Sequence, residues 1–384
     1  VSLVVPGTLG VLVSRNQAAI PPITEADFCR RLSLLGRRSG LSVMAFTAEG
    51  VSPEKHSIRG YAYHDGVWTS GRFPLPDIVY NRCLHIHESQ NVGHTLEKMA
   101  VQKSRKLLYW SRSLPGKWQV YRTLHKVDEV RSFVPPTTPY RDTAQLMEWL
   151  RRHSGLFMKP QAGTHGKGTL YLRLAEGDRG LLIQGRDSQN RTFRRLFSNL
   201  DAGLSWINGM TDKRAYIVQP YLKLTSQSGR PFDVRALMQK DGHGCWRLTG
   251  FAVREGRKGT LTSNLHGGGE AHPAEPYLRE QFGADSTRLI IGQMMKLSLT
   301  ITGALEERYG RLGELGIDYG IDRDGNIWLL EVNSRPGRAS FFQIRQPKCA
   351  FRAINRPLEY ARYLITQSKT TGLQGMGASL EHTV

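Results

Sequence analysis

Short apolar blocks alternate with amphipathic stretches along most of the chain. "GTLGVLVS" (7–14) and "LSVMAFTA" (41–48) read as strands, and "TEADFCRRLSLLGRRSG" between them carries helical spacing. Thr24 is placed to cap that helix, with Asp27 three residues on, and Gly40 to stop it. A hairpin is expected around Asp65-Gly66, then a strand in "DIVYNR" and a helix over 90–107. The 114–140 stretch holds a helix ended by Pro135-Pro136, and "TAQLMEWLRRHSG" is a second helix, stopped at Gly155. Strands "LFMK" and "TLYLRL" flank the glycine loop "PQAGTHGKG", and "IVQPYL" closes that unit. From "RPFDVRALMQ" onward come antiparallel strands, a helix over 283–308 and a last hairpin. There is no internal repeat.

This pattern predicts an α/β (α+β) protein in two domains. The first is an α/β domain over 1–112; the second covers 113–366, with a small glycine-loop lid over about 155–222 and a C-terminal antiparallel sheet. Residues 367–384 are polar and glycine-rich and are expected to form a loose tail.

Composition narrows the class. The chain has 384 residues, 39% hydrophobic and 22% charged, enough for a large buried core. No apolar run approaches the length of a membrane span, and "SLVVPGTLGVLV" lacks a basic region before it, so it reads as a core strand rather than a signal peptide. The four cysteines, Cys29, Cys83, Cys245 and Cys349, are widely spaced, which argues against zinc and against a disulfide framework and favours a reducing, cytoplasmic setting. A net charge of +20 favours polyanionic company: nucleotide phosphates, an acidic polymer or nucleic acid. Lys103, Arg105, Lys106, Arg112, Lys117, Arg122 and Lys126 fall in one stretch, either a solvated basic helix or a polyanion groove. No aromatic-rich RNA motif, helix-turn-helix or zinc finger points to specific nucleic-acid recognition.

Chemistry enters in "IDYGIDRDGNIWLLEVNSRPG". A two-residue turn at Asp324-Gly325 pairs Arg323 with Asn326 and sets Asp318 directly opposite Glu331, with Asn333 two residues further on the same face. At about 5 Å and an effective dielectric of about 20, two carboxylates repel by about 3 kcal/mol. The pairing therefore asks for positive charge between them. Two carboxylates and an amide oxygen suit Mg²⁺, with Mn²⁺ as the alternative, rather than Zn²⁺; a solvated hairpin is the other reading. Arg335 is placed to meet an anion carried by such a metal. The glycine loop, with Gly163, Gly166 and Gly168, is neither a Walker A loop nor a dinucleotide fingerprint, since a strand follows it. Its N–H groups can wrap phosphate, with Lys159 at its mouth.

Together "PLPDIVYNRC", "QPYLKL", "GRPFDVRALMQ", "SNLHGGGEAHP" and "LGIDYGIDRDGNIWLLEVNSRPG" resemble, in order, the signatures of the YheC/YheD-like endospore coat-associated family, within the ATP-grasp superfamily. The resemblance runs from about Gly7 to about Leu364 and implies an ATP-grasp fold over the second domain. It implies ATP as ligand, with Lys117 and Lys159 on its phosphates and Gln219, Pro220 and Leu222 at the hinge that receives adenine. It implies Asp233 near ribose or phosphates, Arg235 at the terminal phosphate and the acyl phosphate, and Asn264 near the γ-phosphate. Asp318, Glu331 and Asn333 match the magnesium ligands. Arg254 is a further candidate to face phosphate, and His266 is not assigned as a base. The activity implied is an ATP-dependent ligation of an unknown carboxylate to an unknown amine or thiol, in the cytoplasm or the spore coat. A nucleotide-binding coat protein without turnover and a polyanion-binding protein are the alternatives. The C-terminal motifs also resemble ligases that add glutamate to a ribosomal protein. Here Thr262 and Gly267 stand where those ligases carry arginines, so the same acceptor is not implied.

Overall fold

The computed structural model describes residues 7–378 apart from 112, 164, 165, 176, 178, 213, 262 and 264–267. The first unit is a sheet flanked by helices. Its elements are β1 (Gly7–Leu12), α1 (Ala26–Arg38), β2 (Leu41–Phe46), β3 (Val51–Ser52), β4 (Ser57–His64), β5 (Val67–Phe73), β6 (Ile78–Asn81), α2 (Ile86–Gln102) and β7 (Leu108–Trp110). The strand order is β3-β4-β2-β1-β6-β7, with β5 on β4. β1 runs parallel to β2 and β6, and β6 parallel to β7. Both faces are covered, which is why β1 is apolar but for Thr8, whose N–H and hydroxyl donate to Asp77. Leu9 and Val11 pack with α1, while Leu12 joins Leu96 and Met99 of α2 on the other side.

The hairpin at Asp65-Gly66 forms as expected: His64 pairs with Val67, and both turn residues have positive φ, 49° and 86°. Two local expectations fail. Thr24 does not cap α1; its hydroxyl donates to the carbonyl of Ser14, and Glu25, at φ 56°, precedes the helix. α2 begins and ends about four residues earlier than expected. The basic stretch is therefore not one helix: β7 interrupts it, Arg105 pairs with Asp77, and Arg112 lies outside the described residues.

After α3 (Lys117–Leu124) and α4 (Asp128–Arg131) comes the middle sheet. It comprises β8 (Thr138–Pro139), β9 (Leu156–Pro160), β10 (Leu170–Leu174), β11 (Leu181–Arg186), β12 (Thr192–Phe197) and β13 (Tyr216–Pro220), in the order β12-β11-β10-β9-β13-β8. Two helices, α5 (Thr143–Arg152) and α6 (Leu200–Thr211), cover one face through Leu146, Leu150 and Ile207. The carboxylate of Asp142 caps α5 by accepting from Gln145 N–H at 2.8 Å.

The C-terminal sheet is antiparallel, in the order β16-β15-β14-β17-β18. Its strands are β14 (Phe232–Lys240), β15 (Trp246–Glu255), β16 (Glu270–Pro273), β17 (Glu314–Ile321) and β18 (Ile327–Asn333). α7 (Ala274–Phe282) and the long α8 (Ala284–Tyr309) intervene, and α8 buries Met294, Leu297, Ile301 and Leu305 against this sheet. The chain ends in α9 (Ala339–Gln343) and α10 (Pro347–Ala378). α10 returns to the first unit, where Leu358, Tyr360, Ala361 and Ile365 share a core with Leu9 and Val11. Helix therefore continues past Thr366, where a loose tail was expected. Once a segment is anchored by packing, adding further turns is easy compared with nucleating them. Among the described residues no helix is long and apolar enough to cross a membrane.

Candidate functional site

A cavity of about 470 Å³ lies between the middle and C-terminal sheets. Its polar wall is a row of cross-strand partners. Arg235 of β14 faces Asp318 of β17, Asp318 faces Glu331 of β18, and Asp233 of β14 faces Arg254 of β15. Asp233 and Arg235 are two apart on one strand and so share its face.

The opposition of Asp318 and Glu331 is as expected, but it arises differently. The turn has three residues, not two. Asp322 N–H donates to the Asn326 carbonyl and Gly325 N–H to the Asp322 carbonyl, with Gly325 at φ 82°. The Asp322 carboxylate shapes this turn, accepting from Asp324 N–H at 3.1 Å, Asn326 N–H at 2.9 Å and the Trp328 indole at 3.0 Å. That shifts the pairing by one, to Ile321 with Ile327 and Tyr319 with Leu329. A bulge at Leu330 shifts it back, so that Asp318 again meets Glu331. The bulge has a consequence: the ammonium of Lys159 donates to the Leu330 carbonyl at 3.0 Å.

Each of the facing acids is neutralised by side-chain cations of its own. Asp318 accepts two bonds from Arg235, one of them at 2.8 Å, and lies 3.1 Å from Nη2 of Arg254. Glu331 lies 3.2 Å from Nζ of Lys117, which also donates to the Gly163 carbonyl at 3.0 Å. Arg254 donates to Asp233 at 2.6 Å, and Asp233 accepts from Ser263 as well. Burial alone would raise the Asp318 carboxyl, but Arg235 and Arg254 outweigh it and hold it below the usual range. Burial wins at Asp233, whose carboxyl is raised despite Arg254, with Asp318 adding to the rise. Burial, helped by Lys117, pushes the Lys159 ammonium down to about 8 against the pull of Glu331 and Asp318.

Lys117, Lys159, Gly163, Gly166, Gln219, Pro220, Leu222, Asp233, Arg235, Asp318, Glu331 and Asn333 all line the cavity. Gly168 does not. At φ 75°, a Cβ there would lie 2.9 Å from the Tyr216 hydroxyl and 3.1 Å from Pro160, so this glycine serves the packing of the loop. Asn264 and His266 lie outside the described residues. In the hinge strand, Tyr221 N–H donates to the Gly155 carbonyl, which turns the Pro220 carbonyl away from β9. Arg254, left open in the sequence, proves central: it bridges Asp233 and Asp318. Phe157, Tyr221 and Leu224 add an apolar wall, with Tyr221 and Leu224 inside the hinge motif but not singled out by it.

Asp318, Glu331 and Asn333 together offer only hard oxygen donors, which fits a divalent cation of the magnesium type. Among the described residues no three His, Cys, Asp or Glu side chains cluster to hold a metal, so the amide of Asn333 is needed to complete the set. It lies 3.4 Å from Asp318.

Residues 106–364 match the family described as YheC/D like ATP-grasp. The chain belongs to the YheC/D-like ATP-grasp family. The endospore coat-associated protein YheC of Bacillus subtilis (strain 168) is 28% identical over 352 residues, covering 91% of this chain and 95% of that one. The YheC/D-like chain also shares its fold with two solved structures. The ADP complex of purK, N5-carboxyaminoimidazole ribonucleotide synthetase, superposes with a TM-score of 0.52 at 13% identity, over 91% of this chain and 77% of that one. The D-alanine-D-alanine ligase from Coxiella burnetii gives 0.51 at 12% identity, over 96% and 99%.

Proposed function

We propose that this YheC/D-like protein is an Mg-ATP-dependent ligase that activates a carboxylate as its acyl phosphate and passes it to an amine or a thiol. One observation carries the reading. A single cavity collects Lys117, Lys159, Lys167, Arg235, Arg254 and Arg335 against Asp233, Asp318 and Glu331, beside an apolar slot at the hinge. Arg235, Arg254 and Lys117 are paired with Asp318, Asp233 and Glu331, an arrangement ready to be exchanged. Phosphate oxygens would take Lys117, Lys159 and Arg235, while Asp318, Glu331 and Asn333 would hold Mg²⁺ or Mn²⁺. The cation, when bound, neutralises charge on the β- and γ-phosphates.

Gly163 and Gly166 would bring backbone N–H groups to the phosphates, with Asp233 near the ribose or the phosphates. Gln219, Pro220 and Leu222 would receive adenine. Asn264 is kept beside the γ-phosphate on the family resemblance alone. A substrate carboxylate oxygen bonds to the γ-phosphorus as the bridging bond to the β-phosphate breaks, and ADP leaves. An amine then bonds to the acyl carbon, releasing phosphate and a proton. Arg235 and the lysines stabilise charge on the transferring group. The ADP in the purK structure and the ligation named for the Coxiella enzyme support this class of reaction. The name of the Bacillus relative supports a place with the spore coat.

The test is ADP release from MgATP by the full chain, over a panel of carboxylic acids and amines, for wild type and Glu331→Gln. The variant should lose turnover by about a hundredfold and most of the thermal stabilisation given by MgATP. In EDTA its stability should change by less than about 1 kcal/mol, because Glu331 and Lys117 form a partly exposed pair. The facing acids thus carry no large unrelieved repulsion. Equal MgATP stabilisation of both proteins would falsify the shared-cation assignment. MgATP binding with no ADP release from any acid would mark a nucleotide-binding coat protein without turnover.

A further inference from the structure

Arg335 stands apart from the other bases of the cavity. Arg235 is matched by Asp318, Arg254 by Asp233 and Lys117 by Glu331. Among the described residues Arg335 has no carboxylate partner. Its Nη2 donates to the hydroxyls of Ser89, at 3.2 Å, and Ser113, and its buried Nε has no acceptor. Hydroxyls aim a guanidinium but do not neutralise it.

The backbone behind Arg335 is fixed. The Pro336 carbonyl accepts from Arg82 at 3.0 Å and from Arg338 at 3.4 Å, two arginines that are themselves buried. On the other side, the Ser334 carbonyl accepts from Ser111 at 3.3 Å, and its hydroxyl from Leu114 N–H at 3.2 Å. Ser89 lies on α2, and Ser111 and Ser113 follow β7, so Arg335 is held against the wall that the first unit provides. Lys117 and Lys159 are engaged instead with the glycine loop and the bulge of β18.

Charge points the same way. The six basic residues lining the cavity exceed the three acids by three. A triphosphate partly neutralised by magnesium leaves some of that excess for a second anion. A planar guanidinium matches a carboxylate in two-pronged fashion.

We propose that Arg335, aimed by Ser89 and Ser113, anchors a carboxylate of the substrate that is not the reacting one. The acid activated at this site is then at least a dicarboxylate, with one carboxylate phosphorylated and the other held by Arg335. This rests on the ligase reading.

The experiment is calorimetry on the full chain saturated with MgADP, so that nothing turns over. The probes are dicarboxylates of graded length (malonate, succinate, glutarate, adipate) and L-glutamate, each against the monocarboxylate of the same chain length. At least one dicarboxylate should bind about tenfold or more tighter than its monocarboxylate, the usual worth of a charged hydrogen bond. Arg335→Gln should remove that preference and leave MgADP affinity within about twofold. Ser113→Ala, a smaller change, should lose part of it. No preference in wild type, or a preference that survives Arg335→Gln, overturns the proposal. Loss of MgADP affinity in Arg335→Gln also overturns it, by making Arg335 a phosphate ligand. Failure of wild type to bind MgADP would sink the ligase reading itself, a separate result.

Discussion

Lys159 carries more chemistry than its motif announces. A lysine on a strand next to a glycine loop reads as a phosphate ligand, but the sequence says nothing of its proton. Burial, with Lys117 nearby, brings its ammonium to about 8, so its charge is lost within an accessible pH range. The protonated form binds phosphate. Below about pH 8 the free protein holds the charge, and above it the charge must be recovered by taking up a proton on binding. MgATP affinity should therefore fall as pH rises through 8, by up to about tenfold per unit. Lys159→Met should bind about tenfold more weakly at neutral pH and show a flatter profile. Calorimetry between neutral pH and the alkaline side tests this, and a flat wild-type profile would remove Lys159 from the phosphate site.

At the level of elements, the hairpin of β17 and β18 shows how a correct contact can follow from an incorrect turn. The aspartate-glycine signal was legible twice. At Asp65-Gly66 it gave the two-residue turn; at Asp324-Gly325 it did not. The difference is Asp322, whose carboxylate takes two backbone N–H groups and the Trp328 indole and widens the loop by one residue. The Leu330 bulge then restores the register and exposes the carbonyl that Lys159 uses. Asp322→Ala should destabilise the protein by about 0.5–1.5 kcal/mol, since the half-buried Trp328 indole loses its acceptor while Asp324 and Asn326 N–H turn to water. MgATP affinity should fall with it, because Glu331 and the Leu330 carbonyl depend on that register. Denaturant unfolding and calorimetry on one preparation give both numbers. Lost stability with unchanged affinity would show that the bulge holds without the turn.

Across the whole molecule, the first unit and the C-terminal sheet are joined by a buried ionic cluster that no motif suggested. Glu314, fully buried, accepts from Arg82 at 2.6 Å, from Gln239 at 3.2 Å, and from Arg338 and Tyr80. Arg82 also pairs with Glu25. The Arg82 and Arg338 ends hold the Pro336 carbonyl, so the same cluster fixes the segment that carries Arg335. Glu314→Gln leaves Arg338 without a carboxylate in a buried place and should cost about 3–5 kcal/mol of stability. Urea unfolding of the full chain measures it. A change under about 1 kcal/mol would mean that the cluster is solvated and holds nothing together.

The sequence by itself pointed to the α/β first unit, the glycine loop and the facing of Asp318 and Glu331, although it reached that last contact through a two-residue turn that the chain does not form. Each rests on local rules: periodic burial, turn residues with positive φ, and the alternation of side chains along strands. Only the tertiary structure decided which cations neutralise those carboxylates. Arg235 meets Asp318 across 83 positions of chain, and Lys117 meets Glu331 across a still longer span. It alone also placed Arg254 in the site, set Gly168 apart from it, returned α10 to the first sheet and lowered the pKa of Lys159. These depend on sheet order and on water excluded between sheets, quantities that a pattern along one strand does not carry.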